Sequence, residues 1–196
     1  YGDSPYQSFS SFAGNPYFID PELLCKDGLL KKKECEELDW GSSEQYIDYG
    51  TMYLSRYKLL HKVYDRFMKK VPEDFNDFCE KEKEWLDEYA LFMALKDAND
   101  GQAWSKWDKD LRLRKKEAME AAKEQYAEEI CFYKMLQYLF YKQWNELKAY
   151  ANKEGIEIIG DVPIYVAGDS ADVWANPDQF YLDENLDPIE VAGCPP

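Results

Sequence analysis

Two loop-like blocks, one near each end of the chain, most constrain how this sequence can fold. Residues 1–17 and 160–177 are both rich in aromatic side chains, Asp, Ser, Asn, Pro and Gly. The residues between them are charged and carry apolar side chains at helical spacing, so they differ in character from both blocks. We therefore expect the two blocks to be parts of one polar cleft, and the middle to be an insertion that separates them in sequence.

The composition is that of a globular protein with room for one good core, or for one core plus an appendage. The chain has 196 residues, of which 45% are hydrophobic and 32% are charged, whereas disordered chains are poorer in apolar residues. Aromatic residues reach 16%. Aromatic rings fill cores, but they also stack on the flat apolar faces of sugar rings and nucleobases.

The formal net charge of −15 argues against two classes of partner. Phosphate contacts require Lys and Arg, so we expect no nucleic-acid partner, and we expect no binding to anionic membrane surfaces. No Lys or Arg follows Lys153, whereas Asp and Glu continue almost to the end. A site in that part would suit a neutral polyhydroxyl ligand, because carboxylates accept hydrogen bonds from hydroxyl groups.

The cysteines favour a reducing compartment. Their number is odd, no Cys-x-x-Cys motif occurs, and no stretch is long enough to span a membrane or has the form of a signal peptide. We therefore expect a cytoplasmic protein whose cysteines are thiols. The five cysteines are Cys25, Cys35, Cys79, Cys131 and Cys194.

The ends of the sequence predict that it is a piece of a longer protein. It begins with Tyr1 rather than Met, and both Tyr1 and Pro196 stand within sequence that looks structured.

The middle of the chain predicts three helical stretches. Ser42-Ser43-Glu44-Gln45 has the spacing of a capping box, so a helix is predicted to begin there. Its apolar periodicity runs from Tyr53 to Met68. Two further helical stretches are predicted over about residues 74–96 and 115–152, with Gly155 as the C-cap of the last.

The hydrophobic period changes after the last predicted helix. Residues 156–166 are a β-rich run that follows a helix, as in the helix-to-strand step of an α/β unit. Pro163 is expected to loosen this strand near its end. Everything after Ala167 predicts loop with at most short helical turns, and residues 25–41 are also expected to be irregular.

Two features that could carry chemistry have plainer explanations. His61 is the only histidine and lies on a helical stretch, so a structural or surface role is favoured over a zinc site. The aromatic run within residues 132–144 could be a ligand platform, but at helical spacing packing is favoured.

A possible calcium loop near the end of the chain fails on two positions. Asp183, Asn185 and Asp187 have the one-three-five spacing of calcium ligands. Pro188 and Cys194, however, occupy the positions where such a loop needs Gly and Glu. Turns are therefore predicted here, and no metal.

The two end blocks supply the candidate ligand residues. In the opening block, polar side chains are concentrated among aromatics and prolines hold the backbone, which favours a ligand loop over a merely ordered one. Asp161, Asp169 and Asp172 follow the predicted strand, at the end where α/β barrels place function. Helix capping by Asp169 or Asp172 explains the same residues equally well.

Together, the two blocks resemble the 4-α-glucanotransferases, or amylomaltases, of glycoside hydrolase family 77. The resemblance is carried by Tyr1–Ser10 and Phe12–Tyr17 at one end, and by Ile158–Ala167 and Asp169–Trp174 at the other. It continues in Val191-Ala192-Gly193 and spans essentially the whole chain. It is weaker in the middle, which in that family is a variable helical insertion.

The resemblance implies an α/β fold, in which the chain is a fragment of a (β/α)8 TIM barrel carrying a mainly helical insertion. Residues 1–41 would form a substrate-cleft loop and the entry to the insertion, residues 42–152 the insertion, and residues 153–196 a barrel strand with its active-site loop. Because isolated barrel edges would be exposed, we expect residues 1–196 alone to be inactive and prone to aggregate.

The resemblance also implies which residues bind substrate. Tyr1 would present an aromatic face to glucan, and Ser4 and Tyr6 would lie along the donor and acceptor subsites. Asp3 is a further candidate in the same block, and Asp169 would belong to the polar wall of the cleft.

The implied reaction is the transfer of α-1,4-glucan segments between maltooligosaccharides by a retaining double displacement. The family's Asp nucleophile, Glu acid/base and second Asp come from later barrel strands and would lie beyond Pro196, so we expect no catalytic residue in this chain. No cofactor is implied. Two rival functions stay open: a non-catalytic acidic helical interaction module, and a glucan-binding protein without catalytic carboxylates.

Overall fold

The computed structural model describes residues 7–161 and 165–190, and the regular structure within these ranges is almost wholly helical. None of the helices there is long and apolar enough to cross a membrane. Short 3-10 turns occur at Pro16–Phe18, Trp104–Lys106 and Pro177–Gln179. The α-helices are α1 (Pro21–Lys26), α2 (Lys32–Glu36), α3 (Tyr49–Phe67), α4 (Glu73–Lys81), α5 (Lys83–Ala98), α6 (Lys109–Arg112), α7 (Lys116–Gln125), α8 (Ala127–Lys153) and α9 (Ala171–Ala175).

The start of α3 corrects the predicted capping box. The helix begins at Tyr49, and the Asp48 carboxylate caps it by accepting a hydrogen bond from Thr51 N at 3.0 Å. The Ser43 hydroxyl instead accepts from the backbone N–H groups of Gln45 and Tyr46, each at 3.1 Å. The prediction was wrong because a serine that closes a turn has the same local sequence as a serine that caps a helix.

Two other predicted helices are each divided. The stretch predicted over 74–96 consists of α4 and α5, which meet at Glu82, and the stretch over 115–152 consists of α7 and α8, which meet at Tyr126. The predicted C-cap is confirmed, since Gly155 has φ +76° and Ile156 N donates to Ala151 O at 2.9 Å.

Residues 25–41 are not wholly irregular, because α1 ends and α2 lies within them. Asp20 caps α1 by accepting from Glu22 N at 2.7 Å, and proline occupies the first position of that helix. At the start of α2 the Glu34 carboxylate accepts from Lys31 N at 2.9 Å. These capping signals lie outside any long apolar period, which is why the helices were missed.

The strand predicted over residues 156–166 is not formed at residues 156–161, and residues 162–164 lie outside the described ranges. A strand is defined by its hydrogen-bond ladder with a neighbour, and the described residues contain only an isolated bridge between Leu182 and Pro188. Over residues 168–190, the loop with short helical turns that is predicted after Ala167 is confirmed.

The chain divides into two compact units, whose boundaries differ from the three segments expected for the barrel and its insertion. Of the described residues, what we call the end-block unit contains 7–13, 82–134, 160–161 and 165–190. What we call the α3 unit contains 14–81 and 135–159. The division into barrel and insertion concerns the full-length protein and stays a prediction.

An aromatic cluster forms much of the core of the α3 unit. Phe67 of α3 packs edge-on against Phe75 of α4 at 5.1 Å between ring centroids, and Tyr138 of α8 lies within 5.8 Å of both. Such pairs each add about 0.5–1.5 kcal/mol beyond area burial. The Tyr138 hydroxyl donates to Asp74 at 2.8 Å. Burial and this hydrogen bond raise the pKa of Tyr138. The aromatic run of α8 is thus core in this part, as the helical spacing favoured.

Polar side chains attach the segment 14–20 to the same unit. Gln137, which is fully buried on α8, accepts from Gly14 N at 2.7 Å and donates to Gly14 O at 3.0 Å. Six residues further along α8, the side chain of Gln143 accepts a hydrogen bond from Asp20 N and donates one to Asp20 O. Arg56 of α3 donates to the carbonyls of Tyr17 and Ile19 at 2.7 and 2.8 Å. Side chains of α3 and α8 therefore satisfy several backbone groups of this segment.

Helix α5 is the centre of the end-block unit. Its residues 89–96 are all buried, which is the pattern of a helix surrounded by protein. Phe92 lies 5.4 Å from Trp107 and 5.9 Å from Trp174, and the two tryptophan rings are 5.6 Å apart. Trp174 of α9 is wholly buried, and its indole N–H donates to Leu111 O at 3.2 Å.

Gly14→Ala is expected to destabilise the full-length protein. A Cβ at Gly14 would lie 2.0 Å from the Phe140 ring, so either this ring or the segment 14–20 must move. Overpacking of this kind costs about 1–3 kcal/mol, measured as a lower urea midpoint. Gly168→Ala is the matched control, because its Cβ would meet nothing within 4 Å. Equal midpoints for the two variants would contradict the close packing.

The ion pair between Glu34 and Arg66 predicts a pH dependence. The two groups are 2.6 Å apart, and hydrogen bonds from Arg66 and Lys31 lower the pKa of Glu34 from 4.5 to about 2. A lowered carboxyl pKa contributes stability above pH 4.5 that disappears as the pH falls through about 2. Glu34→Gln should therefore lower the urea midpoint at pH 7, and this deficit should shrink between pH 4.5 and pH 3.

Glu36→Gln is the control for that experiment. Glu36 forms only an exposed pair with Lys32 at 3.7 Å, and pairs of this kind contribute little. A deficit for Glu34→Gln that is the same at every pH would show that the lowered pKa does not stabilise the fold.

Candidate functional site

Most of the predicted substrate-binding residues precede the described part of the chain. Tyr1, Asp3, Ser4 and Tyr6 lie outside the described residues, so their roles stay predictions. Asp169 is described, as is the opening block from Gln7 onward.

The two end blocks meet in the end-block unit, as the sequence predicts. Ala171 N donates to Phe9 O at 2.8 Å. The Asp172 carboxylate accepts from Ser11 N at 2.7 Å and from the Ser10 hydroxyl at 3.3 Å. Residues more than 160 positions apart in sequence are therefore joined directly by hydrogen bonds. Whether they line one cleft stays a prediction.

Asp169 is held by Lys96 of α5 and by Trp104, which lies between α5 and α6. Its carboxylate accepts from Lys96 Nζ at 2.6 Å and from Trp104 N at 3.2 Å. The Trp104 indole N–H donates to the neighbouring Gly168 O at 2.8 Å. The Asp169 carboxylate is thus fixed by two hydrogen bonds and the adjacent backbone by one, while 23% of the Asp169 side chain stays exposed.

Lys96 is the residue of this site that sequence reasoning missed. Its side chain is only 5% exposed, and besides Asp169 its ammonium donates to the carbonyls of Gly101 and Gln102, both at 3.1 Å. It also lies 5.0 Å from the centre of the Phe9 ring, where a cation is attracted by the π electrons. The one available signal is its place at the end of the apolar run Leu91–Leu95.

Ser170 resolves the alternative that Asp169 or Asp172 caps a helix. The Ser170 hydroxyl is the N-cap of α9 and accepts from Val173 N at 3.3 Å. Neither aspartate caps α9, since Asp169 pairs with Lys96 and Asp172 lies within the first turn, where it holds the opening block. Both carboxylates thus order the loops of this unit.

A cavity of about 140 Å³ opens beside Asp172 in the end-block unit. Phe12 and Trp85 line it with rings that stack at 6.2 Å and an interplanar angle of 21°, and Phe12 is 58% exposed. Glu84 and Asn176 add polar atoms. An exposed aromatic face next to acceptor oxygens suits a sugar ring, which presents C–H groups on its faces and hydroxyls at its rim.

A larger concavity of about 450 Å³ at the end of α8 has a different character. It is lined by Lys148, Asn152 and the residues 155–158 that follow the helix, without an aromatic side chain. Within the described ranges, no group of His, Cys, Asp and Glu is arranged to hold a metal ion.

Comparison with known proteins gives a consistent result over the whole chain. Residues 1–196 match the model of glycoside hydrolase family 77, described as 4-alpha-glucanotransferase. The 4-alpha-glucanotransferase of Clostridium butyricum is 52% identical over 197 residues, which are 100% of this chain and 40% of that protein. The 4-alpha-glucanotransferase of Thermus thermophilus is 48% identical over 200 residues, covering 100% of this chain and 39% of that protein.

A solved structure also matches the whole chain. The amylomaltase from Streptococcus agalactiae in complex with acarbose superposes with a TM-score of 0.94 at 41% identity. The match covers 100% of this chain and 40% of that one. The chain therefore spans about 40% of the length of the relatives it matches.

Asp169→Asn is expected to destabilise the protein, because it leaves the buried Lys96 ammonium without its counter-charge. The expected loss in the free energy of unfolding is about 2 kcal/mol, below the range for fully buried pairs because Asp169 is partly exposed. Combining it with Lys96→Met should cost less than the sum of the single changes, with a coupling of about 1 kcal/mol. Urea unfolding of the four proteins gives this coupling.

Asp27→Asn is the control for this double-mutant cycle of Lys96 and Asp169. Asp27 pairs with Lys142 at 2.7 Å, but both side chains are about one-third exposed. Asp27→Asn should therefore lower the free energy of unfolding by no more than about 0.5 kcal/mol. Additive effects at Lys96 and Asp169 would show that their contact contributes nothing.

Proposed function

The chain belongs to the 4-alpha-glucanotransferases of glycoside hydrolase family 77, and on that premise we propose that the full-length protein transfers α-1,4-glucan segments between maltooligosaccharides. The family match along all 196 residues carries this proposal. The same match gives no support to the rival functions, a helical interaction module or a glucan-binding protein without catalysis.

The proposed fold of the full-length protein is a (β/α)8 barrel with a helical insertion. The apolar side chains of Ile156, Ile158 and Ile159 support it, since they are 57%, 41% and 92% exposed. A run of exposed isoleucines is unfavourable in water. In the barrel these residues would pair as a strand with segments that this chain does not contain.

The substrate-binding residues of the proposal are Tyr1, Asp3, Ser4, Tyr6 and Asp169. Asp169 is supported by its surroundings: Lys96 and Trp104 fix its carboxylate, so an exposed oxygen edge is held in place before substrate arrives. The opening block is fixed to the same unit through Ser11 and Asp172. Rigid loops that carry polar side chains are what glucan positioning requires.

The proposed reaction is a retaining double displacement. An aspartate carboxylate attacks the anomeric carbon, the glycosidic oxygen leaves with a proton from a glutamic acid, and the glycosyl-enzyme then reacts with a hydroxyl of an acceptor glucan, whose proton returns to the glutamate. Both carboxylates are proposed to lie beyond Pro196. The cavity beside Asp172, lined by Phe12 and Trp85, would hold acceptor sugar and keep water away from the glycosyl-enzyme intermediate.

The net charge and the cysteines support the proposed class of partner and the proposed location of the protein. A net charge of −15 suits a neutral glucan and opposes anionic partners. The described cysteines are thiols, as expected for the cytoplasm, where we propose that the protein acts. We also propose that it binds acarbose, the ligand of its structural neighbour.

Incubation of the full-length protein with maltotriose tests the activity. Glucose together with a ladder of longer maltooligosaccharides is expected, because transfer releases one part of the donor and extends another molecule. Glucose and maltose alone would indicate hydrolysis, and unchanged maltotriose would overturn the proposal.

Tyr6→Ala tests the site in the same assay. Loss of a ring that positions glucan should lower kcat/KM by on the order of 100-fold, with the urea midpoint unchanged. Tyr6→Phe separates the ring from its hydroxyl and should retain more activity than the alanine variant. Wild-type kinetics for Tyr6→Ala would remove Tyr6 from the site without affecting the proposed activity.

A further inference from the structure

The ammonium of Lys96 contacts both end blocks as well as its own helix. In the closing block (160–177) it donates to the Asp169 carboxylate at 2.6 Å. In the opening block (1–17) it lies 5.0 Å from the centre of the Phe9 ring, and on α5 it lies 5.8 Å from the centre of the Phe92 ring. Aromatic faces attract a cation at such distances. One charged group of α5 therefore holds a residue of each end block.

Phe9 is held at its ring and at its backbone. The ring lies 6.1 Å from the Phe92 ring, beside the Lys96 ammonium. The Phe9 carbonyl accepts a hydrogen bond from Ala171 N at 2.8 Å. Phe9 follows Tyr6, one of the proposed substrate-binding residues, by three positions in the sequence. Lys96 thus contacts the opening block close in sequence to one proposed substrate-binding residue, and it bonds directly to another in the closing block.

The cavity of about 140 Å³ beside Asp172 is built from the same three elements that Lys96 joins. Its wall contains Phe12 from the opening block, Trp85 from α5, and both Asp172 and Asn176 from the closing block. An acceptor sugar in this cavity would be held correctly only while both end blocks keep their places on α5. The contacts of Lys96 therefore bear on the shape of the cavity, although its ammonium does not line it.

Stability alone does not require an ion pair at this position. The Lys96 side chain is 5% exposed and that of Asp169 is 23% exposed. Buried ion pairs can often be replaced by well-packed apolar residues without loss of stability. An apolar pair would give no directed hydrogen bond, however, whereas an ammonium fixes the orientation of the carboxylate that it binds. What the charge adds here is a fixed orientation of Asp169.

We propose that Lys96 is a positioning residue for glucan transfer, which keeps both end blocks arranged so that an acceptor sugar, rather than water, reaches the glycosyl-enzyme. The inference rests on the proposed transferase activity. The three N–H groups of Lys96 already donate to Asp169 and to two carbonyls in the turn after α5. Lys96 therefore acts through Asp169 and Phe9 and not on the reacting atoms.

Product analysis of the full-length protein with maltotriose tests this role. Transfer leaves the number of reducing ends unchanged, whereas each hydrolysis adds one. The ratio of new reducing ends to longer maltooligosaccharides therefore measures how often water replaces the acceptor, and it does not depend on how much of the enzyme is folded. Lys96→Met should raise this ratio at least about threefold and lower kcat/KM on the order of 10-fold, because misplaced loops admit water.

Two further variants separate positioning from stability. Lys134→Met is the matched control, because Lys134 also pairs with a carboxylate of α5, but this partner is Asp87 and not a residue of an end block. Its ratio should equal that of the wild type. Lys96→Arg keeps the charge, but a planar guanidinium cannot donate from one nitrogen in three directions. Its ratio should lie between those of the wild type and Lys96→Met.

The outcomes distinguish this inference from the proposed activity. Wild-type ratios for Lys96→Met and Lys96→Arg, both shown to be folded by circular dichroism, would overturn the inference and leave the transferase activity standing. An equal rise for Lys134→Met would also overturn it, because the loss of any ion pair on α5 would then have the same effect. If Lys96→Met does not fold, the ratio for Lys96→Arg decides. Absence of longer maltooligosaccharides with the wild-type protein would overturn the proposed activity and this inference together.

Discussion

A single buried ammonium organises the end-block unit. Lys96 Nζ donates to the Asp169 carboxylate and to two carbonyls in the turn after α5. Burying a charge is costly unless it is paired and hydrogen-bonded, and here all three N–H groups have an oxygen partner. The same contact therefore fixes the end of α5, the turn that leads to Trp104 and the loop that carries Asp169. The Lys96 ammonium therefore keeps the candidate site ordered.

In the α3 unit, two neutral side chains act together with the Arg56 guanidinium to hold the segment 14–20. Gln137 and Gln143, six residues apart on α8, each bond to both backbone groups of a single residue in the segment 14–20. A primary amide matches the donor and acceptor of a peptide group without introducing charge. The segment can thus lie directly on the helix, which is why Gly14 stands where the Phe140 ring leaves no room for a side chain.

The sequence was most informative where a feature is local or shared with relatives. The apolar spacing within α3 and the cap at Gly155 are local, and the end blocks matched a family along the whole chain. Neither Glu82 nor Tyr126 is Pro or Gly, so the apolar spacing predicts one continuous helix across each break. Lys96 could not be recognised because its counter-charge lies 73 residues away. The predicted strand is not formed at residues 156–161, because strand formation depends on a neighbouring strand as well as on the strand's own residues.

The contact between Trp107 and Trp174 makes the end-block unit visible to spectroscopy. The two indoles lie 5.6 Å apart at 74° to each other, although 67 residues separate them in sequence. Indole transitions held at such a distance and angle couple as excitons, and an asymmetric coupled pair gives a strong circular dichroism signal in the ultraviolet. Because one ring belongs to the middle of the chain and the other to the closing block, that signal arises only when both are assembled. The optical activity of one aromatic pair thus reports the joining of distant segments.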